Sequence, residues 1–183
     1  MWSRFSAEQP NAAAGARAGA ARQRRAGSRV RQPIATPLEA QILEAQIGDG
    51  GFAPGLIAYV DGQPVGWCGL GPRAAMPRLI NSRTIPAADA LPVWSIGCFV
   101  VRPGYRRRGV ARALLLGAVD YARVRGAPGI EAYPIDPAGA RVSTSFGFVG
   151  FTSTFEGAGF RRVLLTDAHS AGLPRWLMRL EFE

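Results

Sequence analysis

The sequence predicts an α/β (α+β) fold, a mixed central sheet of about six to seven strands flanked by helices. Three observations carry that expectation. Gly55–Val60 and Pro64–Leu70 are strand-length apolar runs around Asp61-Gly62, a dipeptide suited to a type I′ turn with positive φ at both central positions. Val93–Val101 is almost continuously apolar and leads, after Pro103-Gly104, into an amphipathic run ending at Gly126. That is the pattern of a central strand, covered on both faces, followed by a helix. Gly129–Ile135 is the next strand-like run, and a strand reached through a helical crossover lies parallel to its predecessor.

Taken in order, the chain divides at about residue 32 into an Arg/Ala-rich N-terminal segment (1–32) and a single folded domain (33–183). In the first segment Arg17, Arg22, Arg24, Arg25, Arg29 and Arg31 face the single acid Glu8. A short first strand at Met1–Ala7 and a weak helix at Asn11–Gln23 fit it, although Gly15 and Gly19 oppose the helix. An Arg-rich, acid-poor segment suits a targeting peptide or a nucleic-acid arm, yet it lacks the apolar core of a secretory signal and reads best as a solvated segment.

Pro37–Ile47 has Leu38, Ile42 and Ala45 at helical spacing behind a proline, which predicts a short helix. Gly48–Gly55 reads as a loop. Gly71–Pro92 is a long connection with four prolines, from which Arg73, Arg78 and Arg83 project. Connections this long are usually functional, so it is expected either to wall a substrate cleft or to decorate the surface. In the helix opened by Val110, the positions Val110, Leu114, Ala118, Tyr121 and Ala122 form the buried face, with Arg112, Asp120, Arg123 and Arg125 outside. Gly126 and Pro128 end it. Pro137–Phe151 is irregular and Ser153–Ala158 a helical turn. Gly159–Leu165 and Trp176–Phe182 are two closing strands, paired antiparallel across the intervening turn or between chains, which leaves a homodimer open.

Composition narrows the chemistry. No apolar run reaches the roughly 18 to 20 residues of a membrane span. The 22 basic residues outnumber the 13 acidic ones, and all of them are Arg. Arg suits phosphate better than Lys does, and without Lys there is no side-chain amine for Schiff-base chemistry. Cys68 and Cys98 fall in apolar strands and read as reduced core thiols, which points to a cytoplasmic protein. With His169 as the one imidazole, no metal site is expected.

The junction Tyr105–Ala111 (YRRRGVA) carries the strongest chemical signal. Gly109 lets the backbone turn and approach a ligand, and the small Ala111 leaves room in the first helical turn. Helix N-terminal amides have no intrahelical partner and meet the positive end of the macrodipole, so this junction is an anion site. Arg106, Arg107 and Arg108 add to its field.

The chain here resembles the GNAT superfamily of N-acetyltransferases. Arg106-Arg107-Arg108-Gly109-Val110-Ala111 matches that family's Q/R-x-x-G-x-G/A motif, GLIAYVDGQPVGWCGL its second and third strands, and FEGAGFRRV its common YEKLGF segment. The resemblance spans about residues 55–165 and implies the GNAT fold, with two parallel central strands splayed apart. It also implies acetyl-CoA as co-substrate. The amides of Arg107, Arg108, Gly109, Val110, Ala111 and Arg112 would hold the CoA pyrophosphate, bordered by Arg106. The main chain of Phe99 and Val101 would pair with pantetheine as an added strand pairs with a sheet edge. An amide near Phe99 or Val100 would meet the oxyanion formed when an amine of a small molecule or protein attacks directly.

The catalytic positions depart from the pattern. Phe155 stands where many relatives carry a general-acid Tyr, and Ser95 where some carry a base Glu. Tyr133, Glu131 and Asp136 are the candidates to supply that chemistry, Glu131 and Tyr133 sharing one strand face. Equally, Glu131 and Asp136 suit a surface carboxylate and a turn cap. Cys98 has no neighbouring His in sequence and reads as core rather than as an acyl-carrying nucleophile. Two rival readings remain: a CoA-binding sensor without catalysis, and a nucleic-acid-binding protein. Arginines interleaved with stacking aromatics would favour the second, and the chain lacks that pattern.

Overall fold

The computed structural model describes residues 41–44 (backbone), 54–139, 142–143 and 147–183. The expectations for 1–32, including the strand at Met1–Ala7 and the helix at Asn11–Gln23, lie outside them. Among the described residues seven strands form one sheet in the order β1-β2-β3-β4-β5-β7-β6: β1 Gln41–Glu44, β2 Gly55–Val60, β3 Gln63–Pro72, β4 Trp94–Val101, β5 Gly129–Ala132, β6 Arg161–Ser170 and β7 Leu173–Glu181. The helices are α1 Pro77–Ile80, α2 Val110–Val124 and α3 Thr152–Glu156. No described helix is long and apolar enough to cross a membrane.

The hairpin forms as expected, with Asp61 at φ 50° and Gly62 at φ 72°. Gln41–Glu44 is a correction, because it pairs antiparallel with β2 instead of lying in a helix. Helix propensity is a weak prior, and the unpaired edge of β2 offers a full ladder of partners. The remainder of 37–47 lies outside the described residues. The closing strands are also longer than expected. They extend to Ser170 and from Leu173, joined at Ala171 (φ 54°) and Gly172 (φ 74°). An alanine in the left-handed region is rarely chosen for such a turn, so residue preference does not reveal it.

The core gathers where α2 lies on the sheet. Val110, Leu114, Leu115, Ala118, Val119, Tyr121 and Ala122 are buried, on the expected face widened by two residues. A Cβ on Gly66 would stand 2.8 Å from Val110 and 3.0 Å from Leu114, so the missing side chain lets α2 seat close to β3. This also fixes the faces: Gly66, Cys68 and Leu70 look toward α2, and Gly69 and Gly71 look away.

Two irregularities in β4 prepare the site. Its register with β3 steps from Gly69↔Cys98 to Leu70↔Ile96, which makes Gly97 an extra, bulged residue. Its parallel ladder with β5 runs only from Trp94↔Ile130 to Ile96↔Ala132. Beyond that point the two strands part. That leaves the β5-side edge of β4 unpaired beyond Ile96, and the strand is not covered on both faces, since Val100 is 56% exposed.

Candidate active site

The turn between β4 and α2 is built from backbone conformations that few residues adopt. Arg107 lies at φ 61° and Gly109, the N-cap of α2, at φ 86°. Nothing lies within 4 Å of where a Cβ of Gly109 would be, so glycine is needed there for its conformation and leaves the approach open. The first turn of α2 contains no acid, and among the described residues no side chain caps it. Its amides are thus left for an outside acceptor. The three arginines differ in position. Arg106 Nε donates to the Val101 carbonyl at 3.1 Å, and Arg108 stacks 5.1 Å over the Tyr105 ring.

A cavity of about 870 Å³ opens at this turn. It is lined by Phe99, Val100 and Val101, by Arg106, Arg107, Gly109, Val110, Ala111 and Arg112, and opposite them by Phe148, Phe151, Ser153 and Thr154. Of the residues expected to contact the cofactor, Arg108 alone is absent from that lining. The far wall is held in place by Ile135, whose N–H donates to Gly150 O (3.1 Å) and whose carbonyl accepts from Thr152 N–H (3.0 Å). Along β4 the Arg102 N–H bonds to Val65 of β3. Peptide groups alternate along a strand, so those of Phe99 and Val101 point the other way, into the gap left by β5.

Ser95, Glu131 and Arg179 lie side by side on β4, β5 and β7, on the sheet face opposite α2. Glu131 is 1% exposed and accepts from Arg179 Nη2 (2.6 Å), Arg179 Nε (3.0 Å) and the Tyr133 hydroxyl (3.0 Å). Tyr133 Oη is also 3.2 Å from Ser95 Oγ. Burial first, then the charge of Glu131, pushes the Tyr133 phenol up to about 12. Arg179 reaches out to Asp89 as well, and its hydrogen bond holds that carboxyl below the usual carboxylate range.

The structure therefore brings Glu131 and Tyr133 together with Ser95, in a buried network that does not line the large cavity. Asp136 is elsewhere: it caps Ala138 N–H and pairs with Arg162 at 2.6 Å, both of which lower its pKa. Phe155 is buried between Phe99 and Phe160, with ring centroids 6.0 Å and 5.2 Å away. Sequence reasoning missed Arg179 and Asp89, and it read Arg73 as a projection of the long connection without its approach to Glu131, whose carboxylate lies 3.7 Å from Arg73 Nε. Strand register could have revealed Arg179 alone, opposite Glu131 on β7.

A mixed sheet whose parallel central strands part, with a glycine turn at the head of its crossover helix, defines the class of fold. Residues 25–148 match the model of the Acetyltransferase (GNAT) family, and the chain belongs to that family of acetyltransferases. No curated protein matches it. A solved structure described as an acetyltransferase is 18% identical, covers 71% of this chain and 70% of its own at a TM-score of 0.50, and shares the fold. The ribosomal-protein-alanine N-acetyltransferase of Brucella melitensis is 20% identical (70% and 68% covered, TM-score 0.46). A structure of yncA from Salmonella typhimurium with its cofactor acetyl-CoA is 18% identical (71% and 65%, TM-score 0.47).

Proposed function

We propose that the protein transfers the acetyl group of acetyl-CoA to an amine by direct attack in a ternary complex. One observation carries the reading: the cavity at the α2 N-terminus is lined by Phe99, Val100 and Val101, the part of β4 beyond its last pairing with β5. Its volume of about 870 Å³ suits a whole ligand, since such sites run roughly 300–1,000 Å³. The cradle's free amides, its glycine turn and its lack of acid fit a pyrophosphate.

In this reading the amides of Arg107–Arg112 hold the pyrophosphate, and the Phe99 and Val101 peptide groups pair with pantetheine. The bound co-substrate supplies a thioester. The acceptor's nitrogen forms a bond to the acyl carbon, the carbon–sulfur bond breaks, and the nitrogen loses a proton while the sulfur gains one. The Phe99 amide, which points into the gap, stabilises the oxygen on which charge develops. Phe155 has no proton to give. Tyr133 keeps its proton through neutral pH, which suits a donor, and Glu131 and Ser95 hold its hydroxyl. Asp136 acts on the far wall through Arg162, away from that network.

Ala111→Glu tests the cradle. A carboxylate in the first turn complements the macrodipole, so the fold is expected to keep or slightly raise its melting temperature. The same side chain fills the anion site, so the melting shift given by acetyl-CoA to the native protein is expected to vanish. An undiminished shift in the variant would sink the assignment.

A further inference from the structure

A second cavity, of about 200 Å³, lies on the sheet face opposite α2. Gly69, Gly71 and Gly97 form its floor, and Pro72, Ala75 and Met76 its wall. No lining residue is ionisable. The floor is open at Gly97, where a Cβ would meet nothing nearer than Gly69 O at 3.9 Å, whereas a Cβ on Gly69 would lie 3.2 Å from Cys98 Sγ. Gly97 is the bulged residue of β4, and the large cavity begins two residues later at Phe99, about 7 Å along a strand. The two cavities therefore border β4 within two residues of each other, the small one on its β3 side and the large one beyond the point where β5 parts from it.

Size decides what the smaller one holds. It falls below the roughly 300 Å³ at which whole-ligand sites begin, so it takes a single side chain. Position decides whose. The gap proposed for the thioester is on the β5 edge of β4, and this pocket is on the β3 edge. An acyl chain would have to cross β4 to enter it, whereas an acceptor arriving on this face meets it directly. We propose that the pocket selects the acceptor: a primary amine whose α-carbon carries one uncharged, apolar side chain. This rests on the acetyl-transfer reading above and adds its substrate class.

The test is a paired change of pocket size. Ala75 is exposed and Met76 only partly buried, so Ala75→Leu narrows the pocket and Met76→Ala widens it without disturbing the core. Thiol release from acetyl-CoA is followed with glycinamide, alaninamide, valinamide and leucinamide, and with tetrapeptides beginning with the same residues. The peptide arm separates protein termini from small amines. Native protein is expected to favour valinamide or leucinamide over glycinamide at least tenfold in kcat/KM. Ala75→Leu is expected to move the leucinamide-to-alaninamide ratio down, and Met76→Ala to move it up, each tenfold or more. Equal loss with every amine would overturn the proposal. So would a change in the preference for butyryl-CoA over acetyl-CoA, which would give the pocket to the acyl chain. An acetyl-CoA melting shift without side-chain discrimination defeats the pocket alone. Absence of that shift in native protein defeats the acetyl-transfer reading with it.

Discussion

Tyr133 is 1% exposed, with its hydroxyl between Glu131 and Ser95 and its backbone carbonyl held by Arg175 Nε at 2.7 Å. Its phenol is raised to about 12 by burial and by Glu131, against about 10 for an unfolded chain. The folded state thus holds the proton more tightly. The stability it contributes is full below about pH 10 and is lost as pH rises from there to about 12, amounting to about 3 kcal/mol at one pH unit per 1.4 kcal/mol. Tyr133→Phe is expected to flatten that alkaline limb in urea denaturation followed from pH 9 to 12. The same variant separates structure from chemistry. A positioned proton donor contributes about 10²–10⁴-fold, so kcat should fall by that order with the acetyl-CoA melting shift unchanged. An unchanged kcat would leave Tyr133 a buried phenol and no more.

The element that most repays attention is the strap between β3 and β4. It crosses the sheet face opposite α2, where Ile85 and Leu79 pack with Tyr133, Ala168 and Leu177. Arg73 Nη2 donates to Ile85 O at 3.3 Å, and Arg179 holds Asp89. Glu131 anchors both arginines from below. Removing one partner of a buried ion pair leaves the other uncompensated, at a cost of about 3–5 kcal/mol. Glu131→Gln is expected to lose that order of stability and to speed amide exchange across 82–91. The double change Glu131→Met/Arg179→Met should lose less than the single one. A loss below about 1 kcal/mol for Glu131→Gln would show that the cluster does not hold the strap, since exposed pairs contribute no more than that.

This strap also marks where the sequence stops being legible. Its length and prolines left a cleft wall and surface decoration equally open; Ala75 and Met76 line the small cavity, but its anchor was invisible. Ser95, Glu131 and Arg179 become neighbours only through the register of strands far apart in the chain. Local signals fared differently. The Asp61-Gly62 turn, the α2 face and the glycine turn before it depend on residues close together, and all three appear as read. Gln41–Glu44 shows the converse: helical spacing yielded to an available sheet edge.

At the scale of the whole molecule the sheet separates two approaches. The large cavity opens at the α2 N-terminus, the small one lies on the face away from α2, and β4 alone belongs to both linings. Such an arrangement admits two substrates together, with no need for an enzyme-bound acyl group between them. The thiols agree. Cys68 is 0% exposed against α2, and burial drives its pKa far upward, so it is inert as a nucleophile. Cys98 lies on β4 between the bulge and Phe99, the one described thiol placed where a transferred acetyl group could rest. Double-reciprocal plots at varied acetyl-CoA and amine are therefore expected to intersect, and Cys98→Ala to keep kcat within about threefold of native, well short of the 10²-fold or greater loss that removal of a catalytic group brings. Parallel lines together with an inactive Cys98→Ala that still shows the acetyl-CoA melting shift would replace direct attack with transfer through that thiol.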